Sequence, residues 1–381
     1  MKTVIAIDSF KGSLTTLQAG EAVSEGIKKV YPDAQIVISP IADGGEGTLD
    51  AVMSAVDGEI AFVEATSPTG ERIKARYGIL KDKTAIVEIA EAAGLTLVKA
   101  DKRNPMYTTT RGVGEIIRDA VKKGCRNFVV GLGGSATNDG GVGMLSALGF
   151  EFLDKDANPI PDGAIGLSRL AEIKNNNILP ELLECTFTLA SDVENPLCGE
   201  KGATYVFSPQ KGALPEDLAK MDSLLEGYAD MTRALYPKSD KNARGMGAAG
   251  GLGFAFASFL GAEMKSGIKL VTELTGLENE IKTADIIVTG EGRLDSQTAM
   301  GKAPVGVAET GKKYNKTVIA FSGCVTPDAE VLSNYGIDAY FPILRTPVTL
   351  DEALKCENAF NNLRDSAVQV FRLIKELRKD L

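Results

Sequence analysis

No histidine occurs anywhere in the 381 residues. That absence removes Ser-His-Asp and Cys-His catalysis, imidazole general bases and every histidine metal site. Chemistry must therefore use carboxylates, lysines, arginines, hydroxyls and backbone dipoles. Cysteine is scarce and scattered: Cys125, Cys185, Cys198, Cys324 and Cys356 are odd in number and form no C-x-x-C. Neither a disulfide framework nor a thiolate zinc site is expected, and a reducing, cytoplasmic setting is. No apolar run reaches the roughly 18 residues a membrane span needs, and the N-terminus lacks the charged and apolar regions of a signal peptide. Basic excess is missing as well. A net charge of −9 argues against nucleic acid as the main partner, because binding a phosphate backbone requires a basic face. No G-x-x-x-x-G-K-[ST] occurs, and the glycines of 131–143 do not form a G-x-G-x-x-G followed by an acidic residue about 20 positions on, so that stretch is not a dinucleotide fingerprint. What remains is an ordinary globular composition, 44% hydrophobic and 24% charged, at a length that suggests two domains by the prior of about 150 residues each.

The stretch around which the chain is organised reads G-L-G-G-S-A-T-N-D-G-G-V-G from Gly131 to Gly143. Asn127-Phe128-Val129-Val130 before it is short and β-branched enough for a buried strand, and Met144 to Phe150 after it can continue as a helix. A strand opening through glycines and hydroxyls into a helix suits an anion, because the backbone can approach closely and unpaired N–H groups face the ligand. A tight structural turn is the other reading of the same residues.

The chain begins with two strand-loop-helix units. Val4 to Ile7 runs into Asp8-Ser9-Phe10-Lys11-Gly12-Ser13, then into a helix with Thr15 and Gln18 as a capping pair. Ile36 to Ile38 runs into Pro40 to Thr48 and a second helix. Such a start is that of a parallel, doubly wound sheet. The pattern then changes: 59–65, 72–80 and 84–89 are strand-like runs with no helix between them, which predicts an antiparallel meander. Helices are expected over 112–123 and from Pro215 to Leu235, and a strand over 186–190. After Ala284 the first pattern returns. The strand 286–289 delivers Gly290 to Asp295, two more strands follow at 318–321 and 340–343, and a long closing helix begins at a Thr349/Glu352 capping box. That helix carries Leu363, Ala367, Val370, Ile374 and Leu377 as its apolar stripe. Two strands at the front and three at the back complete one five-stranded sheet. The expected architecture is a discontinuous flavodoxin-like α/β domain, 1–62 with 283–381, interrupted by an inserted mixed α/β domain over 63–282.

Asp8, Lys11, Asp43, Glu46, Asp192, Glu291, Arg293 and Asp295 all fall just past the C-terminal ends of predicted strands, the edge where open α/β sheets bind ligands. Carboxylates gathered with Lys and Arg beside glycine loops suit a magnesium–nucleotide site. Each Asp taken singly also suits a helix cap or a turn. Lys201 and Lys211 read either as anion contacts or, more in keeping with lysine, as solvated surface residues.

Five stretches carry a resemblance: Asp8 to Ser13, Pro40 to Thr48, Gly131 to Gly141, Ser191 to Leu197 and Gly290 to Asp295. In order, and over nearly the whole chain, they resemble the bacterial glycerate kinases. Ser191 departs from the family, where many members carry Cys. The resemblance implies a flavodoxin-like domain interrupted by a second α/β domain. It also implies a phosphotransferase with an alcohol acceptor, transferring from ATP with Mg²⁺ to D-glycerate, usually at the 2-hydroxyl. On this reading Gly133, Gly134, Ser135, Thr137 and Asn138 are expected to bind nucleotide phosphate. Asp8, Ser9, Asp43 and Arg293 are expected to bind substrate, Glu291 and Asp295 the metal. Lys11 and Arg293 are expected to balance negative charge. Asp192 is the expected base, since without histidine a hydroxyl proton must go to a carboxylate, a lysine or solvent; a metal-ligand role for it stays open. Two rival classes are a nicotinamide-dependent oxidoreductase of a small hydroxy acid and a non-catalytic two-domain protein that binds a small acid. The residues do not fix the oligomeric state.

Overall fold

A computed structural model describes residues 1–378. In chain order its strands are β1 (Lys2–Ile5), β2 (Gln35–Ile38), β3 (Gly58–Thr66), β4 (Arg72–Leu80), β5 (Thr84–Glu88), β6 (Asn127–Gly131), β7 (Glu151–Leu153), β8 (Glu172–Lys174), β9 (Thr186–Ala190), β10 (Glu263–Lys265), β11 (Ile286–Leu294), β12 (Thr317–Val325) and β13 (Ala339–Pro342). They build two units. The first comprises 1–43, 50–56 and the chain from Ser266 on; the second comprises 44–49 and 57–265.

The first unit is a five-stranded sheet of order β2-β1-β11-β12-β13, with every pairing parallel. This is the flavodoxin-like, doubly wound order. The sequence requires two covered faces, because successive strand residues point to opposite sides and Val4, Ile5, Ala6 and Ile7 are all apolar and buried. Ile5 and Ile7 share a core with Val288, Phe321 and the buried residues of helices Thr16–Lys28 and Cys356–Leu377. Val4 and Ala6 share the opposite core with Ile287, Val318 and helices Leu277–Thr283 and Ala303–Lys313. Each fully buried Leu, Ile or Phe contributes about 1.5–3 kcal/mol. The predicted capping box is present at the start of Thr16–Lys28: Thr15 Oγ1 accepts from Gln18 N at 3.2 Å, and Thr15 N donates to Gln18 Oε1 at 2.9 Å.

The expected long closing helix is two helices. Leu350–Leu354 ends at Lys355, whose ψ of 124° is extended, and Cys356–Leu377 follows. Thr349 does accept from Glu352 N, at 3.3 Å. The Glu352 carboxylate, however, meets Lys355 and Asn358 instead of reaching back to Thr349. Leu377, placed in the buried stripe by its spacing, is exposed.

The second unit is a six-stranded mixed sheet of order β10-β9-β6-β5-β4-β3. β5, β6, β9 and β10 are parallel, while β3, β4 and β5 form the expected antiparallel meander. Its core is aromatic: Phe128 stacks on Phe187 at 4.8 Å and Tyr228 meets Phe254 edge-on at 5.6 Å. A boundary at 62 would cut β3 in its middle, where Phe62 pairs with Arg76 of β4. Residues 267–283 pack through Ile268, Leu277 and Ile281 into the core beside Val305 and Ala308. The two units therefore divide at 56/57 and 265/266, with 44–49 belonging to the second. Among the described residues no helix is long and apolar enough to cross a membrane.

Candidate active site

In the first unit the strand order reverses between β1 and β11, which opens a crevice at their C-terminal ends. The two strands stay joined beyond their paired residues, with Asp8 N donating to Gly290 O at 2.9 Å. β11 does not stop at Thr289 as its apolar run suggested; it pairs with β12 as far as Leu294. Glu291 and Arg293 are accordingly strand residues, held by a neighbouring strand rather than by a loop. Gly292 between them lies against the Lys11 loop, where a Cβ would come 3.5 Å from Lys11 N.

Asp8 is buried, and its Oδ1 accepts from Ser9 N at 2.6 Å. Burial, then the charge of Asp43 and less strongly that of Glu291, push its carboxyl up to about 7 against the pull of the Ser9 N–H and Lys11. Glu291 is raised mainly by burial and also by Asp43. It accepts from Thr298 Oγ1 at 2.7 Å and lies 3.7 Å from Lys302 Nζ. Asp8, Asp43 and Glu291 thus feel one another's charge, with Lys11 as a shared counter-charge. Asp295, the expected second metal ligand beside Glu291, is engaged locally. Its Oδ1 accepts from Gln297 N at 3.0 Å and Thr298 N at 3.3 Å, and its Oδ2 lies 3.1 Å from Arg293 Nε. Among the described residues no preformed group of three or more carboxylate or thiol side chains could cage a metal. Magnesium in phosphoryl-transfer sites commonly takes one or two carboxylates and completes its shell with phosphate and water. Hard carboxylate oxygens gathered at one strand edge fit that demand.

The glycine stretch belongs to the second unit. β6 and β9 run parallel with Gly131 opposite Ala190, so the 131–141 loop and Asp192 emerge at one edge of the sheet. Asp192 is half-buried two residues beyond β9. The segment 44–49 folds over the same edge: a Cβ on Gly131 would come 2.8 Å from Gly44 O, and Leu49 N donates to Glu88 Oε1 at the end of β5 at 2.5 Å. Gly133 has no room for a side chain, since its Cβ would overlap Gly45 Cα. The backbone N–H groups of Gly133 and Gly134 make no hydrogen bond within the described residues, and Gly134 is exposed. Glu46 is exposed on the overlying segment.

Contrary to expectation, the helix that follows this loop, Val142–Ala147, does not offer its first N–H groups to a ligand, because the buried Asp139 carboxylate occupies them. It accepts from Gly141 N at 3.0 Å and Gly143 N at 3.3 Å, and at 2.8 Å from both Thr110 N and Thr110 Oγ1. Burial still raises its carboxyl above the ordinary range despite those donors. Any anion must therefore sit at the exposed turn around Gly133 and Gly134, ahead of Asp139.

Lys211 is not the surface lysine its sequence context suggests. It is 3% exposed, and its Nζ donates to Ser135 Oγ and Thr137 O, both at 2.7 Å. Thr137 and Asn138 are wholly buried, with Asn138 Nδ2 donating to Thr204 Oγ1 at 3.0 Å. Lys201 is exposed, as expected. The structure brings Asp8, Ser9, Lys11, Asp43, Glu291, Arg293 and Asp295 into the first unit. It brings Gly133, Gly134, Ser135, Thr137, Asn138 and Asp192 into the second. Sequence reasoning assigned no role to Asp139 or Lys302, and for Lys211 it favoured the surface over the buried place the structure gives it.

The model of the glycerate kinase family matches residues 3–375. A protein of Escherichia coli K12 named glycerate 2-kinase is 45% identical over 364 residues, covering 95% of each chain. A glycerate kinase of Bacillus subtilis 168 is 43% identical over 373 residues, covering 97% of this chain and 98% of its own. The crystal structure of a protein described as putative glycerate kinase 2 from Salmonella typhimurium LT2 superposes with a TM-score of 0.88 at 43% identity, over 100% of this chain and 99% of that one. Agreement of this extent, through both units, means that the chain belongs to the glycerate kinase family and is an enzyme with kinase activity.

Proposed function

We propose that the enzyme transfers the γ-phosphoryl group of MgATP to the 2-hydroxyl of D-glycerate, giving 2-phosphoglycerate and ADP. The observation that carries the reading is the coupled Asp8, Asp43 and Glu291 cluster with Lys11 at the β1–β11 crevice, in a chain that matches this family from end to end. The name of the E. coli relative supports the 2-position. The hydroxyl oxygen attacks the γ-phosphorus, the bond to the β-phosphate oxygen breaks, and the hydroxyl proton must be removed. Asp192 is the proposed base. Lys11 and Arg293, both exposed, offset the negative charge of phosphate and of the glycerate carboxylate. The Gly133 and Gly134 N–H groups and the Ser135 hydroxyl receive nucleotide phosphate, while Thr137 and Asn138 shape the loop from within.

Glu291 with Asp43 would hold magnesium, which when bound neutralises charge on the phosphates. Asp295 instead fixes the Thr298 turn and orients Arg293. One observation favours Asp8 as a second candidate for the base: a carboxyl raised to about 7 is matched to proton transfer near neutral pH. Phosphorus NMR of the product formed from D-glycerate and MgATP tests the reading. A single 2-phosphoglycerate resonance is expected; the 3-phosphate alone would overturn the regiochemistry, and no product would overturn the substrate.

A further inference from the structure

A lysine withdrawn from water is costly unless its ammonium is held, and such a residue has normally been placed for a reason. Among the described residues the Lys211 ammonium has the Ser135 hydroxyl and the Thr137 carbonyl as its hydrogen-bond partners, both on the glycine loop, and Asp139 is the charge that acts on it. It arrives on the segment 203–211, which presents Thr204, Ser208 and Lys211 to the loop: Thr204 Oγ1 takes the Asn138 amide, and Lys211 N bonds back to Ser208 O. Three wholly buried polar atoms of this cluster, Thr137 Oγ1, Asn138 Oδ1 and Ser208 Oγ, have no protein partner. A core built only for stability would not leave three such atoms around a buried ammonium, since each orphan is unfavourable.

We propose that Lys211 is the positioning residue of the phosphate-binding turn. From beneath the loop it fixes the Ser135 hydroxyl and the Thr137 carbonyl, so that the Gly133 and Gly134 N–H groups stay turned outward for the nucleotide. Lys211 itself touches no substrate. Asp139 anchors the loop's far end through the 110, 141 and 143 donors, and Lys211 anchors its near end. The proposal rests on the reading that this loop binds the nucleotide.

Steady-state kinetics of Lys211→Met with ATP and D-glycerate varied separately tests it. Methionine keeps the unbranched length and removes the charge and both donors. KM for ATP is expected to rise at least tenfold while KM for D-glycerate stays within twofold, a split that general loss of structure would not produce. An ATP KM within twofold of wild type, or equal rises in both constants, would overturn the proposal. Should Lys211→Met fail to fold, Lys211→Gln, which keeps a donor and removes the charge, decides by the same ratio, with an ATP rise of threefold or more expected. Gly134→Ala, at a φ of +74°, separates this idea from the one beneath it. If it raises the ATP KM and Lys211→Met does not, the loop binds nucleotide without help from Lys211. If neither variant moves the constant, the loop assignment itself fails.

Discussion

Asp8 should make the protein less stable as the pH rises, and Asp8→Asn should relieve this. Its carboxyl lies at about 7 in the folded chain against an ordinary value of 3.8. Between those two values the folded state keeps a proton that the unfolded state has lost, so stability falls as pH increases through the window. A shift of about three units at 1.36 kcal/mol each amounts to about 4 kcal/mol of destabilisation, fully developed above pH 7. At pH 5 only about 1.5 kcal/mol of it is present by the same relation. Asparagine retains an oxygen for the Ser9 N–H and removes the repulsion from Asp43 and Glu291. Urea denaturation of wild type and variant at pH 5 and pH 8, followed through the transition of the five-stranded unit, measures the difference. The advantage of Asp8→Asn should grow by about 2–3 kcal/mol from the lower to the higher pH. It should be accompanied by loss of activity, as when a functional site holds a group against its preference. An advantage that is the same at both values, or a variant less stable at pH 8, would refute the electrostatic argument.

Two other substitutions probe the second unit. Asp192→Asn keeps shape and removes basicity; kcat should fall roughly 10²-fold or more with thermal stability nearly unchanged, whereas activity recovered by added Mg²⁺ would make Asp192 a metal ligand. Asp139→Ala strands the Thr110, Gly141 and Gly143 donors in a dry interior and should lower stability by roughly 3 kcal/mol or more; thermal melts unchanged to within a degree would mean that the loop stands without it.

The sheet of the first unit was legible because its strands are short, apolar on both faces and separated by helix-length amphipathic segments. The β3–β5 meander was legible from what its connections lack. The candidate site was legible as positions: Asp8, Asp43 and Glu291 could be placed at strand ends from apolar runs alone. Their environment was not, since β11 continues through polar Glu291 and Arg293 because β12 is there to pair with it. Lys211 stayed hidden for the same reason. Nothing within Ser208 to Gly212 signals burial, and the groups that hold its ammonium lie 76 and 74 positions away. The break at Lys355 has no proline or glycine to announce it. Local rules of capping could not reveal Asp139 either, because Thr110, 29 positions earlier, supplies two of its donors.

The order of the strands also bears on how the chain is made. The backbone N–H of Lys2 bonds to the carboxylate of Asp285, 283 residues away, and β1 cannot gain β11 as its neighbour until that part has been synthesised. At about 5–20 residues per second, the first two strands wait for tens of seconds on the ribosome. Their apolar faces meanwhile lack the central strand that should cover their edge. The inserted segment 57–265 has its whole sheet and core within its own span and can fold during that interval. Its folding replaces a long flexible loop by a body whose two ends are held at fixed places, which lowers the entropy lost when β11 docks beside β1. Nascent chains truncated before β11 should therefore show a protease-resistant insert flanked by a sensitive N-terminal segment.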